Sequence, residues 1–336
     1  MRMNATAAPR LIPDRLASPV RRFATSWEAL LLALAAAIFA ANAWASPYFL
    51  DVWNLSDATF NFTEKAIVAL AMAFVVMAGE IDLSVGGIIA LSSTAMGEAA
   101  AAGAGTPTLV AVGLGVGTAC GLFNGALVAR LGLPSIMATI GTMSLYRGCS
   151  YLALGDTVLK DYPENLGWFG QGYVWQALSF EFACFLLLAL GAGVALHRTV
   201  FGRAVRAIGS NSFAARFSGL RVERIRLTVF VLTGLASGLA AVMLTGRLGS
   251  TRPSIALGWE LDVVTIVVLG GVSIQGGAGT IPGVVIAAFV MGLVTYGLGL
   301  LNVPGIVMSI VIGAMLIGTI ALPILLGRLL ARRKPA

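Results

Sequence analysis

Charge is scarce in this chain: only 11% of its 336 residues are Asp, Glu, Lys or Arg. With 58% hydrophobic residues and a mean hydropathy of +0.91, no soluble domain can bury so much apolar surface, and the composition is that of a polytopic membrane protein. Histidine is scarcer still. The single one, His197, excludes histidine-rich metal chemistry and stands beside Arg198 as a boundary residue at the end of an apolar run. The three cysteines, Cys120, Cys149 and Cys184, all fall within apolar runs, which predicts buried thiols rather than disulfides. No nucleophile–base pair, metal-ligand cluster or His-Glu-x-x-His pattern supports an enzyme, and no cofactor motif is present. Glycines crowd residues 270–280, but without the Gly-Lys-Ser/Thr ending of a phosphate loop they read as a tight turn with close helix packing.

What the chain has is apolar length. Ten runs read as membrane helices: 29–45, 63–78, 84–103, 108–129, 135–154, 174–196, 227–245, 261–272, 280–301 and 305–326, the second and eighth short. The fold class is therefore an all-α integral membrane protein. Forty-one glycines suit close packing of helices in lipid. The net charge of +7 is explained by loops rather than by nucleic acid. With the N-terminus inside, seventeen of the 22 Lys and Arg residues are cytoplasmic: Arg2, Arg10, Arg15, Arg21, Arg22, Arg130, seven between Arg198 and Arg226, and Arg328, Arg332, Arg333 and Lys334. Both termini are then cytoplasmic. Residues 1–27 form a basic lead, 28–326 the membrane domain with a cytoplasmic loop at 197–226, and 327–336 a basic tail. Ala43-Trp44-Ala45 resembles a signal-peptidase site, but the long basic lead and long apolar run favour a retained helix.

The stretch Gly79-Glu80-Ile81-Asp82-Leu83-Ser84-Val85-Gly86-Gly87 sets two carboxylates, a hydroxyl and three glycines between apolar runs. The run before it, 66–78, rises only about 20 Å as a helix against a hydrocarbon core of about 30 Å. It reads as a helix broken inside the membrane, where irregular backbone needs protein or water to cover it, so a wet stretch lining a transport route is expected. Charge there needs a cap, a partner or a cavity. Asp82 or Ser84 can cap the next helix, and Glu80 can line the route or bond between helices. Glu98, Asn124 and Arg147 also interrupt apolar helices, as a buried Arg–Glu pair or as polar lining for an uncharged solute. Ionisable relays of the kind proton-coupled carriers use are few. The substrate-path candidates are Glu80, Asp82, Ser84, Asn124 and Ser144.

Two motifs hint at a repeat. Leu133-Pro134-Ser135 opens the fifth run and Val303-Pro304-Gly305 the tenth; Glu80-x-Asp82 opens the third and Glu260-x-Asp262 the eighth. Two five-helix halves would be inverted relative to each other. The internal loop has Ser210 or Asn211 to cap a short helix through Arg216, and Gly219 to end it. Small Ala214 and Ala215, with Phe213 and Phe217, give that helix a face suited to a groove on a protein partner; the alternative is a basic loop on anionic lipid.

These blocks carry a resemblance. Residues 79–91 are similar to the Gly-Gly-Ile-Asp-Leu-Ser-Val-Gly signature of the inner-membrane permeases of ribose-type ATP-binding-cassette importers, with Glu80 in place of the second glycine. Gly121-Leu122-Phe123-Asn124-Gly125, the blocks 134–141 and 144–148, the loop 202–219 and the block 261–283 resemble further parts of that family in the same order. The resemblance implies a second permease subunit, two cytosolic ATPase subunits and a periplasmic sugar-binding protein. It implies that 202–219 is the segment resting on the ATPase, with Arg203, Gly209, Asn211, Ala214, Ala215, Ser218 and Gly219 as coupling candidates. Leu154-Gly155-Asp156, Tyr162-Pro163 and 249–254 most resemble the rhamnose permeases, making rhamnose the expected sugar, with ribose, xylose or an autoinducer-type sugar as the alternatives. The competing expectation is a stand-alone secondary carrier for a small polar solute.

Overall fold

The computed structural model describes residues 26–332, with side chains through 319 and at 321. Arg2, Arg10, Arg15, Arg21, Arg22, Arg333 and Lys334, and with them most of the basic lead and the end of the tail, lie outside the described residues. In chain order come α1 (Trp27–Ala45), α2 (Val52–Phe60), α3 (Thr63–Met77), α4 (Val85–Ala101), α5 (Thr106–Ala129) and α6 (Ser135–Leu154). A 3-10 turn (Glu164–Leu166), α7 (Gly167–Gln171) and the strands β1 (Tyr173–Trp175) and β2 (Leu178–Ser179) follow. Then come α8 (Phe180–Arg198), α9 (Val200–Ser210), α10 (Ser212–Phe217), α11 (Val222–Leu248), α12 (Trp259–Leu269), α13 (Ile281–Leu300) and α14 (Gly305–Arg332).

Every expected run holds a helix. Among the described residues, α1, α5, α8, α11 and α13 are each long and apolar enough to cross a membrane, and α2 with α3 forms a sixth candidate bent by 49°. Three features differ from expectation. The run from 174 opens as an antiparallel hairpin, Tyr173 opposite Ser179, because aromatic and β-branched residues flank a turn at Gln176. The helix waits for Ser179, whose hydroxyl accepts from the amide of Phe182. An unexpected α2 starts at Asp51, whose carboxylate accepts from the amides of Trp53 and Asn54. Cys120 is buried, but Cys149 is exposed and Cys184 half-buried, so only one thiol is hidden as the apolar context suggested.

Helix α3 is the centre: apart from Lys65 and Ala71, all of its residues are buried. A helix apolar all round must be enclosed all round. It packs against α8, α11, α12 and α13. The packing repeats. Helix α11 touches α4 and α5 while α3 touches α12 and α13; α4 touches α6 while α12 touches α14. The two proline openings share a backbone too, since Gly132 and Asn302, two residues before each proline, both have positive φ (71° and 55°). These pairings bear on the expected two halves: α3–α6 correspond to α11–α14.

Glycine makes the seam of α5 on α11 a close one. Gly113, Gly117, Gly121 and Gly125 recur every fourth residue on one face. A Cβ at Gly117 would lie 2.5 Å from the Gly234 carbonyl oxygen, and one at Gly121 2.5 Å from that of Phe230. No side chain fits between these backbones.

Candidate functional site

The break follows α3 as anticipated. Gly79 turns the chain with φ +82°, a conformation costly for any residue with a Cβ, and residues 80–84 run without helix or strand to α4. Helix α6 helps to satisfy this backbone: the Ser135 hydroxyl accepts from the Ile81 amide at 3.2 Å. Asp82 and Ser84 are wholly buried. Neither side chain caps α4. Instead the Asp82 carboxylate accepts from the Ser84 amide (2.9 Å) and hydroxyl (2.6 Å), a tight local turn. The Asn124 amide donates to the Ser84 hydroxyl at 2.7 Å, and the Tyr146 hydroxyl donates to the Asn124 carbonyl at 2.9 Å. Three path candidates therefore join in one buried chain of polar groups linking the break to α5 and α6. One Asp82 oxygen has no hydrogen-bond partner.

Ser144 is not part of it and lies exposed. Two residues further on, the helical period turns Tyr146 toward α5, and the sequence signal for it lay in the same 144–148 block. Glu98 is also exposed, so the acidic neighbour of Arg147 is not Glu98 but Glu260. Arg147 donates to the Pro253 and Ile255 carbonyls at 2.8 and 3.1 Å, drawing the 249–258 loop onto α6. Gly86 lets this loop come near: a Cβ there would sit 2.7 Å from a Glu260 carboxylate oxygen and 2.8 Å from the Ala256 carbonyl.

Each acidic motif supplies one ion pair. Glu80 meets Arg226, in the second turn of α11, at 2.9 Å, and Asp262 meets Lys65, in the first turn of α3, at 2.5 Å. The motifs are thus not superimposable, since Glu80 and Asp82 precede their helix while Glu260 and Asp262 lie inside theirs. Beside Lys65 and Asp262 opens a cavity of about 520 Å³, whose walls include Asn61, Trp259, Thr295 and Tyr296.

The 154–163 and 249–254 blocks meet. Leu159 pairs with Thr251 in an isolated bridge, and the Thr251 hydroxyl lies 2.6 Å from the Tyr162 hydroxyl and 2.5 Å from that of Ser93. Burial pushes the Tyr162 phenol above its ordinary range.

In the internal loop, α9 is amphipathic: Gly202, Ala204, Val205 and Ile208 are buried, Arg203 exposed. Asn211 caps α10 by accepting from the Ala214 amide at 2.9 Å, and Gly219 ends it with φ +83°. The expected contact face needs correction. Ala215 is buried against Ile208 and Val222, because the capped helix folds back on α9 and α11. Gly209 packs inward too: a Cβ there would collide with the Met77 carbonyl and the Gly277 amide. The outward face is made by Phe213, Ala214, Phe217 and Ser218 with Arg203, Asn211 and Gly219 nearby, and the two phenyl rings pack tilted at 55° with centroids 4.6 Å apart.

The glycine loop 270–280 completes the picture. The Gly277 amide donates to the Met77 carbonyl at 2.9 Å, and a Cβ at Gly276 would lie 2.9 Å from the Gly79 Cα. The break after α3, the break after α12 and the end of α9 thus come into direct backbone contact.

Residues 54–320 match the family model described as branched-chain amino acid transport system / permease component. The L-arabinose ABC transporter permease protein AraH of Azospirillum brasilense is 34% identical over 310 residues, 91% of each chain. The ribose import permease protein RbsC of Bacillus subtilis is 34% identical over 293 residues, 87% of this chain and 88% of its own. The autoinducer 2 import system permease protein LsrD of Salmonella paratyphi B is 33% identical over 306 residues, 89% of this chain and 91% of its own. No solved structure matches the chain. With the family model spanning most of the sequence and relatives matching nearly end to end, the chain belongs to this permease family, as a multi-pass inner-membrane transport subunit and not an enzyme.

Proposed function

We propose that this chain is the membrane-spanning subunit of an ATP-binding-cassette importer that takes up a monosaccharide or a similarly hydroxylated solute. The observation that carries the reading is the Asp82–Ser84–Asn124–Tyr146 chain at the helix break, hydroxyl and amide groups of the kind that exchange hydrogen bonds with an uncharged polyol. The names of the arabinose, ribose and autoinducer 2 relatives favour the same solute class. The cavity beside Trp259 and Tyr296 offers an aromatic and polar vestibule at the end that the arginine count assigns to the outside.

In this reading, residues 197–226 face cytosolic ATPase subunits, a periplasmic binding protein docks at the opposite end, and a second permease subunit completes the pathway. The contact with the ATPase falls on Phe213, Ala214, Phe217 and Ser218, and Gly209 transmits movement to both breaks. Rhamnose is the finer proposal, and it rests on the 154–156, 162–163 and 249–254 blocks.

The test is uptake into proteoliposomes holding the permease, its ATPase and its binding protein, with ion gradients collapsed. L-arabinose, D-ribose, L-rhamnose and L-leucine are compared with and without internal ATP. ATP-dependent uptake of one of the sugars is the expected result. Uptake of leucine alone would sink the sugar reading, and uptake without ATP would favour a secondary carrier.

A further inference from the structure

Between α8 and α13 runs a groove of about 420 Å³ that differs from the sites above in kind. Its walls are apolar, with Leu190, Gly193 and Val194 from α8 facing Pro282, Val285 and Ile286 from α13. Its end is cationic. His197 and Arg198 close it in the last turn of α8, and Arg206 reaches in from α9, 3.1 Å from the His197 ring nitrogen and donating to the Gly279 carbonyl at 3.2 Å. The N-terminus of the 20-residue helix α13 lies at the same end and adds the positive pole of its dipole. The nearby carboxylate, Glu28, is occupied in accepting from the Thr280 hydroxyl.

We infer that this groove binds an anionic glycerophospholipid of the cytoplasmic leaflet, one acyl chain between α8 and α13 and the phosphate against Arg198 and His197. Three observations select that occupant. From Ala189 to His197 the groove runs about 12 Å along α8, close to the ~15 Å depth of one leaflet's hydrocarbon. The arginine distribution puts its cationic end at the cytoplasmic surface, where anionic headgroups lie. The chain's own N-terminal residues 1–25 carry five arginines against one aspartate, a charge of the same sign as this end and so a poor match for it. The glycine is part of the design: a Cβ at Gly193 would meet nothing within 4 Å, which leaves room along the wall.

The experiment is native mass spectrometry of the purified full chain, titrated with dioleoyl phosphatidylglycerol and, separately, dioleoyl phosphatidylcholine. The native chain is expected to retain phosphatidylglycerol preferentially, in one tight adduct. The double substitution His197→Gln, Arg198→Gln, at two exposed positions, should lower that affinity by about fivefold, the effect of one arginine charge near an anionic surface. It should lower phosphatidylcholine binding by less, because the choline ammonium offsets the phosphate charge. Gly193→Leu, which fills the wall, should weaken both lipids. Equal retention of the two lipids by the native chain, or native-like phosphatidylglycerol retention by the double variant, overturns the inference. If Gly193→Leu does not fold, the double variant alone decides.

Discussion

The Gly277 amide donates to the Met77 carbonyl across 2.9 Å, and Gly209 lies against both. Two helix breaks and the end of a surface helix are thereby brought together backbone to backbone. Gly209→Val should be strongly destabilising, because the added carbons meet backbone that no rotamer change can clear. The cost is at least about 1–3 kcal/mol. Thermal unfolding in detergent should report it as a clear fall in midpoint. Ala207→Val, on the exposed face of the same helix, should cost only a few tenths of a kcal/mol, about the β-branched helix penalty. Equal midpoints for the two variants would mean that the close approach does not exist.

The outward face of α10 predicts the opposite pattern. Phe213 and Phe217 are 71% and 76% exposed, so truncating both to alanine removes little that the folded chain uses. Melting should stay native. Co-purification of the ATPase should fall about tenfold or more, since exposed aromatics that become buried at an interface carry much of its energy. Native co-purification with Phe213→Ala, Phe217→Ala, alongside loss on removing Arg203 and Arg216, would assign the face to lipid.

Periodicity and charge counting were enough to place all ten helical segments, because apolar length and basic loops are local properties of a sequence. The break at Gly79, the Asn211 cap and the Gly219 stop were legible for the same reason. Direction was not. Ala214 and Ala215 look alike in sequence, yet one is exposed and the other buried, a difference set by how α10 folds back on α9 and α11. Ser144 and Tyr146 differ likewise, and only the position of α5 decides which one meets Asn124. The partners of Glu80, Asp262 and Arg147 are 146, 197 and more than 100 residues away, beyond the reach of any local pattern.

Asn124 and Tyr146 should behave as a unit. Asn124→Ala takes one partner from each of two buried hydroxyls, but Tyr146 keeps the Cys120 carbonyl at 3.1 Å and Ser84 keeps Asp82, so the cost should be about 1 kcal/mol for each bond lost. Tyr146→Phe alone removes a donor and should cost less. Because both lose the same bond, the double variant should be less damaging than the sum, by about 0.5–3 kcal/mol. A denaturant titration of the four proteins measures this. Strict additivity would mean that the hydrogen bond at 2.9 Å is not formed in the membrane protein.

The ion pairs at the two helix starts make the last prediction. Glu80 and Arg226 have side chains 10% and 27% exposed, and Lys65 and Asp262 18% and 16%. Each charge is therefore partly withdrawn from water, and removing one member leaves the other poorly solvated. Arg226→Gln should destabilise by about 2 kcal/mol, less than the 3–5 kcal/mol of a fully buried pair because some solvent remains. Glu80→Gln should cost less, since the more exposed arginine keeps more of its hydration. The double variant Glu80→Gln, Arg226→Gln should recover part of the loss, as two neutral amides can still bond to each other. Raising the salt concentration should narrow the gap between native and Arg226→Gln. The readout is unfolding midpoint at low and high salt. A double variant no better than Arg226→Gln would indicate that the arginine acts through its packing on α11 rather than through Glu80.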